Sequence, residues 1–234
     1  MTLIPILAAC ANVAMSASQL SVITALRRAQ NTKTTVPMLQ FTLSFLSSVL
    51  WLKYGLIHQD HTIASVNFIG MFISVYILWC FWCLSIIRTH VENCFLFTTL
   101  TGVLTVGYID HSENPVALEV FSTVCCLMPL AVLASPLSQV GNVIRLRDAS
   151  VLLPSLAVLA FFNNVLWATY GYLHKNPFML VPNIIGAAFC TLQLALIAYY
   201  GRAAAQMPAA ATATATAITS GVAMTEIVPR PVQD

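Results

Sequence analysis

Seven uncharged, largely apolar stretches constrain this chain more than any other feature. Each is close to the roughly 20 residues that an α-helix needs to cross about 30 Å of hydrocarbon. The stretches are residues 1–26, 34–52, 61–87, 93–109, 120–144, 149–174 and 176–201. Hydrophobic residues make up 59% of the chain and its mean hydropathy is +0.83, which excludes a soluble globular domain. Because lipid cannot satisfy an open sheet edge, the pattern predicts an all-α membrane protein with seven transmembrane helices.

Basic residues near the ends of the stretches predict the orientation of the helices in the membrane. If the spans alternate in direction, one side receives Arg27, Arg28, Lys33, Arg88, Arg145, Arg147 and Arg202. The other side receives only Lys53 and Lys175. This asymmetry places the N-terminus outside and the C-terminus in the cytosol. The basic pair follows the first stretch instead of preceding it, which favours a retained first span over a signal peptide.

An internal repeat is the second constraint. The phrase VLWLKYG at 49–55 returns as VLWATYG at 165–171, and the alignment of 37–75 with 153–191 needs no gap. At this offset of 116 residues, 11 of 39 positions are identical. The identities include Trp51/Trp167, Tyr54/Tyr170, Gly55/Gly171, His58/His174 and Asn67/Asn183. Chance pairing of two Leu-rich helices would rarely match these residue types, so the repeat indicates a duplicated unit.

The repeat predicts how the seven spans are organised. Three spans end on the opposite side from where they start, so the additional span at 93–109 returns the chain and makes the repeats parallel. We therefore expect two parallel three-helix bundles joined by a linker helix, a 3+1+3 arrangement. The predicted units are a first repeat at 1–87, a linker helix at 88–114, a second repeat at 115–201 and a flexible cytosolic tail at 202–234. The tail lacks an apolar face to bury.

The repeated Trp and Asn residues predict a central pocket. Trp51 and Asn67 are equally distant from the turn near residue 59, so on antiparallel helices they share a depth of ~9 Å below the outer surface. Trp167 and Asn183 repeat this geometry about residue 175. An indole offers a flat apolar face to the C–H face of a sugar ring, and an amide offers donors and acceptors to its hydroxyls.

Two further polar residues lie on the same helix faces as the tryptophans. Ser47 and Asn163 each precede a Trp by one helical turn and are predicted to line the pocket and set ligand size. Structural roles compete with this hypothesis, because a lone Trp near a span end usually anchors a helix at the interface. A lone Asn within a span often makes an interhelical hydrogen bond without a ligand. The recurrence of both types at one depth favours the pocket.

Several absences narrow the function. No Asp, Glu, Lys or Arg lies deep in a span, which favours downhill transport of a neutral solute without ion coupling. The sequence contains no nucleophile–base set, metal cluster or phosphate loop, so we expect no enzyme activity, no catalytic residues, no cofactor and no metal. The net charge of +2 gives no indication of nucleic-acid binding. The predicted partners are a small-molecule sugar and the lipid bilayer.

These residues resemble the SWEET (saliva-type) family of sugar uniporters, as an animal-type member, over about residues 1–201. The motifs that carry the resemblance are LWLKYG, LWATYG, SVNFIG, VPNIIG and ASPLSQVGNVIRLRDAS at 134–150. The resemblance implies two triple-helix bundles around a central site that opens alternately to either side. It further implies facilitative, bidirectional uniport of glucose or another monosaccharide, with Trp51, Trp167, Asn67 and Asn183 as the site.

The family resemblance also implies gates and hinges. The outer gate would involve Tyr54, Tyr170 and Asn176, the last at a position where plant relatives often carry Asp. Among the hinge prolines, Pro136 matches a family position and Pro154 is displaced by about one residue. The second span has Gln40 where a family proline is expected, with Pro37 three residues earlier. Family members commonly form oligomers, so the resemblance implies a homo-oligomer. The implied location is the plasma membrane or the Golgi and other endomembranes.

Two other functions remain open on the sequence alone. A related seven-span carrier for amino acids or similar solutes would carry adjacent Pro-Gln in its first and fifth spans. Here the fifth span reads Pro136-Leu-Ser-Gln139, and Gln19 in the first has no Pro beside it. A seven-span receptor would lack the three-span duplication and would usually carry a charged switch at an inner helix end.

Overall fold

The computed structural model describes residues 3–29, 38–85, 88–112, 114–149 and 152–204, and these residues form eight α-helices without a strand. The helices are α1 (Leu3–Ala29), α2 (Met38–Ile57), α3 (His61–Leu84), α4 (Arg88–His111), α5 (Pro115–Val132), α6 (Ala134–Leu146), α7 (Pro154–Leu173) and α8 (Pro177–Ala204). The predicted hinge Pro37 and the tail after residue 204 lie outside the described residues.

Four of these helices are by themselves long and apolar enough to cross a membrane, namely α3, α5, α7 and α8. In α1 and α2 the apolar segments lie at Leu3–Ser18 and Phe41–Ile57, counted over the residues that the structure fully describes. The linker helix α4 is less apolar, because its ends carry Arg88, Glu92 and Asp110. Helices α5 and α6 follow one another with one residue between them and together form a single span.

The fifth span is broken at a defined point. Leu133 is the C-cap of α5 and the N-cap of α6, with φ −67° and ψ −14°. Pro136, two residues into α6, has no N–H to donate to the carbonyl of Val132, so the helical ladder lacks a bond at the break. In the first repeat the equivalent position is Leu20, and α1 runs through it without interruption. The two repeats therefore differ at the position where the sequence predicts a hinge.

One turn in each repeat joins two helices, α2 to α3 in the first and α7 to α8 in the second, and the two turns are equivalent. Gln59 and Lys175 adopt left-handed φ values of 53° and 52°. The next residue in each turn, Asp60 or Asn176, donates its N–H to the carbonyl of Gly55 or Gly171 at 2.8 Å. A Cβ at either glycine would lie within 2.8 Å of a backbone nitrogen of the following helix, so only glycine allows these turns to close.

Helix packing follows a pseudo-two-fold pattern. In the first repeat α3 packs against both α1 and α2, and in the second α8 packs against both α5 and α7. Across the repeats, α1 contacts α7 and α2 contacts α5, which are again equivalent pairs. Helix α4 packs mainly on α2 and α3, and an ion pair between Lys53 and Asp110 joins α2 to the end of α4. Beyond its predicted place on the outer side, Lys53 thus ties the linker helix to the first bundle.

The buried clusters divide the molecule into two ends. The end that carries the two turns is termed the outer end, after the predicted orientation, and its cluster combines α1, α2, α3, α5, α7 and α8. At the inner end the first bundle has its own cluster around Ile77 and Cys80. The second bundle has a separate cluster around Val143 and Leu152, packed against Leu196 and Ile197 of α8. Among the residues whose side chains the structure describes, the bundles thus share a core at the outer end and have separate clusters at the inner end.

Candidate functional site

The repeated tryptophans lie together in the outer cluster. Trp51 on α2 is 7% exposed and Trp167 on α7 is 6% exposed, and both belong to the cluster shared by the two bundles. Each packs against the tyrosine one turn nearer the outer end, with centroid separations of 5.0 Å to Tyr54 and 5.6 Å to Tyr170. A membrane-interface anchor would lie exposed at a helix end, so this burial favours the pocket over the anchor.

The paired asparagines are held in the same way in both repeats. The amide Nδ2 of Asn67 donates to the carbonyl of Ile63 at 2.8 Å, and that of Asn183 donates to Met179 at 2.7 Å. Both bonds run back one turn along the residue's own helix, and neither asparagine has an interhelical hydrogen bond to another described residue. An amide has two N–H donors and a carbonyl, so each side chain keeps one donor and its oxygen for other partners.

The residues one turn inward of the tryptophans are partly buried, and one of them carries an unusual feature. Ser47 occupies this position in α2 and Asn163 in α7. The Oδ1 atom of Asn163 and the Nε1 atom of Trp167 are buried without a hydrogen-bond partner. Buried polar atoms are nearly always paired in folded proteins, so this pair marks a place where a polar ligand would be favourable.

A crossed pair of hydrogen bonds closes the outer end. The hydroxyl of Tyr170 in the second repeat donates to Oδ2 of Asp60 in the first, at 2.8 Å. At the position related by the pseudo-two-fold axis, Nδ2 of Asn176 in the second repeat donates to the hydroxyl of Tyr54 in the first, also at 2.8 Å. Tyr54 and Tyr170 are 2% and 3% exposed. These two bonds, termed the outer latch, join the bundles directly above the tryptophans.

Local structure positions both polar members of the latch. Oδ1 of Asp60 caps α3 by accepting the N–H groups of Thr62 and Ile63, both at 3.0 Å, which leaves Oδ2 for Tyr170. Oδ1 of Asn176 accepts the N–H of Met179 at 3.3 Å, which leaves the amide nitrogen for Tyr54. The capping bonds therefore fix which side-chain atom faces the opposite bundle.

Asp60 is a latch residue that the sequence prediction of the gate does not include, although the repeat could have identified it. The offset of 116 residues carries Asn176 onto Asp60, so the position expected to act in the gate has an acidic counterpart in the first repeat. The equivalent histidines are also part of this region. His58 packs on Tyr54 at 4.3 Å and His174 stacks on Tyr170 at 4.0 Å between ring centroids.

The hinge prolines are placed at helix boundaries where the structure describes them. Pro136 lies just after the break between α5 and α6, and Pro154 is the first residue of α7. Their role as hinges remains a prediction, as does the role of the Trp, Asn and Tyr residues in binding and gating. Within the part of the chain that the structure describes, no group of three His, Cys, Asp or Glu side chains could hold a metal ion.

Comparisons with known proteins match both repeats of this chain to sugar transporters. A family model described as "Sugar efflux transporter for intercellular exchange" matches residues 2–89 and 119–205, which cover most of each repeat. The chain is 28% identical over 176 residues to the "Sugar transporter SWEET1" of Dictyostelium discoideum, covering 71% of this chain and 78% of the relative. It is 29% identical over 168 residues to the "Bidirectional sugar transporter SWEET7" of Arabidopsis thaliana, covering 67% of this chain and 64% of the relative.

A solved structure has the same fold. The structure described as "The 3.7 A resolution structure of a eukaryotic SWEET transporter" superposes with a TM-score of 0.75 at 23% identity, covering 86% of this chain and 100% of the other. The expected all-α membrane fold, with two parallel three-helix bundles and a linker helix, is thereby confirmed. The 3+1+3 count includes α5 and α6 as one span.

Proposed function

The chain belongs to the family of sugar efflux transporters for intercellular exchange, and from this premise we propose that it moves glucose or another monosaccharide across a membrane as a bidirectional, facilitative uniporter. Sugar transport and an integral membrane location follow from the family. The choice of a monosaccharide, the lack of ion coupling and the alternating-access mechanism are the parts we propose.

One observation carries the proposal above the others. The two tryptophans belong to opposite bundles and are buried in one cluster. This cluster lies directly beneath the crossed bonds of the outer latch. Paired indoles at equal depth can cover both apolar faces of a single pyranose ring. Two full-size indoles leave less room than one, which favours a monosaccharide over a disaccharide. Asn67 and Asn183 would then supply the hydroxyl contacts at the same depth.

The arrangement of the cores supports alternating access. The outer latch and the shared outer cluster hold the bundles together at one end, and the separate inner clusters let them part at the other. We infer that this is the inward-facing state, with the latch as the closed outer gate. The break between α5 and α6 at Leu133 would allow the inner half of the fifth span to move while α5 stays packed on α2 and α8.

The charge distribution favours an uncoupled mechanism. Carriers that couple sugar movement to protons or sodium usually place an ionisable group within the membrane. Here Asp60 and the ion pair of Lys53 with Asp110 are at the outer helix ends, and no acidic or basic residue lies in the middle of a span. The sugar would therefore move down its own gradient in either direction.

Radiolabelled glucose flux tests this function directly. We expect influx and efflux of similar capacity in proteoliposomes, and counterflow when unlabelled glucose is preloaded. Collapsing the proton and sodium gradients should leave the initial rate unchanged. A requirement for either gradient would contradict the uncoupled mechanism. If another hexose is transported and glucose is not, only the proposed substrate is wrong.

Orientation and assembly need separate tests. We place the N-terminus outside and the C-terminus in the cytosol, in the plasma membrane or an endomembrane, and we propose a homo-oligomer. Antibody access to terminal epitope tags, before and after permeabilisation, tests the orientation. Light scattering of the detergent-solubilised protein, corrected for bound detergent, tests the oligomeric state, and a monomer mass would reject the oligomer.

A further inference from the structure

Two equivalent histidines lie one helical turn outward of the latch tyrosines, and the transport function proposed above does not use them. His58 packs on Tyr54 with ring centroids 4.3 Å apart, and His174 stacks on Tyr170 at 4.0 Å with 24° between the ring planes. Both histidines are exposed, whereas both tyrosines are buried. Histidine is the side chain whose charge ordinarily changes between about pH 5 and 8. Each latch tyrosine thus carries a ring that the outer solution can protonate.

The ring of His174 is held in a defined orientation. Its Nδ1 atom lies 2.9 Å from the carbonyl oxygen of Tyr170. A carbonyl oxygen only accepts hydrogen bonds, so Nδ1 carries the hydrogen and Nε2 is the nitrogen that takes up a proton. An imidazolium formed in this way keeps its bond to the carbonyl and stays against the face of the Tyr170 ring.

A negative charge of the other bundle lies beyond that ring. The Tyr170 hydroxyl donates to the carboxylate of Asp60 at 2.8 Å. Asp60 is the only acidic residue in the first repeat, residues 1–87. The stack and the hydrogen bond together place a protonated His174 roughly 7 Å from this carboxylate, a separation at which opposite charges attract even in water.

The equivalent histidine of the first repeat lacks such a partner. His58 packs on Tyr54, whose hydroxyl accepts from the neutral amide of Asn176 at 2.8 Å. A proton on His58 therefore gains no opposite charge from the second bundle through this tyrosine. The two halves of the latch are alike in their rings and differ in the charge that each histidine faces.

The other ionisable groups near α7 do not repeat the arrangement of His174 with Asp60. Helices α1 and α8 pack against α7, and their charged residues in the described part of the chain are at their inner ends. Lys175 and Glu119 belong to the same repeat as His174 and move with it. Lys53 and Asp110 are paired with each other. The remaining ionisable side chains described at this end are His61, Tyr108, His111 and Tyr172.

We propose that the outer latch is sensitive to pH, with His174 as its sensor: a protonated His174 attracts Asp60 and holds the outer gate closed. The stack of His174 on Tyr170 lies within one helix and is kept in every state, whereas Asp60 moves away when the outer ends part. Protonation and closure therefore favour each other, so closure strengthens as the outer pH falls. This is regulation and not coupling, because no proton travels with the sugar. The proposal rests on the proposed function in treating the latch as a gate.

The test measures latch opening at Cys125, which is buried and bonds across the bundles to the carbonyl of Leu50. Intact cells carry the full-length protein with the other six cysteines replaced, and a membrane-impermeant maleimide is added at outer pH values from about 8 to about 5.5. Each labelling rate is divided by that of His174→Asn at the same pH, which cancels the pH dependence of the thiol reaction. This ratio should fall about threefold between the two ends of the range.

Two variants of the sensor and one control make the test specific. His174→Asn keeps an amide nitrogen that can donate to the Tyr170 carbonyl. His174→Phe keeps a ring on Tyr170 and replaces the Asn variant if that one does not reach the cell surface. His58→Asn is the matched control at the equivalent position, and its labelling should respond to pH as the wild type does.

Moving the carboxylate to the other repeat gives a further test. In the double variant Asp60→Asn/Asn176→Asp the negative charge lies beyond Tyr54 instead of Tyr170. The pH response should then be lost when His58→Asn is added and kept when His174→Asn is added. A purely structural role of His174 would not move with the charge.

Three results would overturn the proposal. They are a labelling ratio that stays constant over the pH range, a response that His58→Asn removes in the wild-type background, and a response that stays with His174 after the carboxylate is moved. A Cys125 that is never labelled from outside would overturn the gate assignment together with the proposal. These measurements need no sugar, so they are distinguishable from failure of the transport function, in which glucose flux is absent at every pH.

Discussion

Asp60 and Asn176 occupy equivalent positions in the two repeats, yet only one of them carries a charge. Each caps the helix that follows it and reaches across to the tyrosine of the other bundle. A hydrogen bond to a carboxylate is roughly twice as strong as one between neutral groups. We therefore expect the Tyr170–Asp60 bond to contribute more to outer closure than the Tyr54–Asn176 bond.

This inequality predicts opposite effects for two single substitutions. Asp60→Asn keeps the capping oxygen and removes the charge, so it should weaken the closed state by about 1 kcal/mol, or about fivefold in population. Asn176→Asp should strengthen closure by a similar amount, because the Tyr54 hydroxyl can then donate to a carboxylate. Both variants keep a residue that caps helices well, so neither should unfold the protein.

Cys125 offers a native reporter for this prediction. It is fully buried between the bundles, and its thiol contacts the carbonyl of Leu50 at 3.7 Å. With the other six cysteines replaced, a membrane-impermeant maleimide added outside should label Cys125 faster in Asp60→Asn and more slowly in Asn176→Asp. Equal labelling rates in the wild type and both variants would contradict the assignment of the latch as the outer gate.

Substitution of the paired Trp and Asn residues should abolish transport without lowering the amount of protein in the membrane. Trp167→Ala removes one of the two indole faces, and Asn183→Ala removes the amide at the same depth. Each should lower glucose flux to near background while surface expression, measured by biotinylation, stays close to wild type. Thr191→Val on α8 is a suitable control, because the Thr191 hydroxyl donates to Ala187 of its own helix. Normal flux in both alanine variants would assign these residues to packing.

Residue roles could be predicted from the sequence only as far as the repeat extends. The offset of 116 residues pairs the tryptophans and asparagines without reference to any contact between helices. It could not show that the indole of Trp167 lacks a partner, because pairing depends on neighbours from other helices. The charge of Asp60 does not mark it by itself, because charged groups point to function mainly in span interiors, whereas this carboxylate lies at a helix cap. Only the repeat offset, which pairs Asp60 with Asn176, could have identified it.

At the scale of elements, helix boundaries depart from the uncharged stretches for one physical reason. The stretch at 93–109 lies within α4 at Arg88–His111, since charged side chains at a helix end can reach water or one another. Arg88 packs over the ring of Trp82 at 4.7 Å, and Glu92 accepts from the Trp82 indole at 2.7 Å. Counting residues between charges therefore underestimates a span whose ends are satisfied locally.

Close helix contacts within the repeats predict unequal tolerance at two equivalent glycines. A Cβ at Gly186 on α8 would lie 2.3 Å from Oδ1 of Asn164 on α7, whereas a Cβ at Gly70 on α3 would lie 3.2 Å from the Ser48 hydroxyl on α2. Gly186→Ala should separate α7 from α8 and lower the melting temperature of the purified protein. Gly70→Ala should have a clearly smaller effect.

A second substitution makes the glycine prediction specific. Asn164→Ser copies Ser48 of the first repeat and shortens the side chain that the new methyl group would meet. Combined with Gly186→Ala, it should recover most of the lost thermal stability and flux. Equal destabilisation by Gly186→Ala and Gly70→Ala, or no recovery in the double variant, would mean that the Asn164 contact does not set the α7–α8 distance.

On the scale of the whole molecule, the duplication makes the two bundles equivalent bodies that meet about one axis. Equivalent contacts, α1 with α7 and α2 with α5, bring the bundles together about a pseudo-two-fold axis. The latch bonds are crossed because each tyrosine reaches the cap residue of the other repeat. If the outer ends of the two bundles tilt away from this axis, both bonds break together and each bundle's inner core stays intact. The fold is thus suited to a rigid movement of two halves.

Pseudo-symmetry makes a final prediction about the charge itself. If the two latch bonds act in parallel on one rigid movement, the closed state depends on their sum and not on which repeat holds the carboxylate. The double variant Asp60→Asn/Asn176→Asp moves the charge from the Tyr170 bond to the Tyr54 bond and keeps the total. We expect its external labelling rate at Cys125 to return to within about twofold of wild type, from the about fivefold changes of the single variants. A double variant that stays as open as Asp60→Asn would show that the Tyr170 bond alone controls the gate, and that the two halves of the latch are not equivalent in the movement.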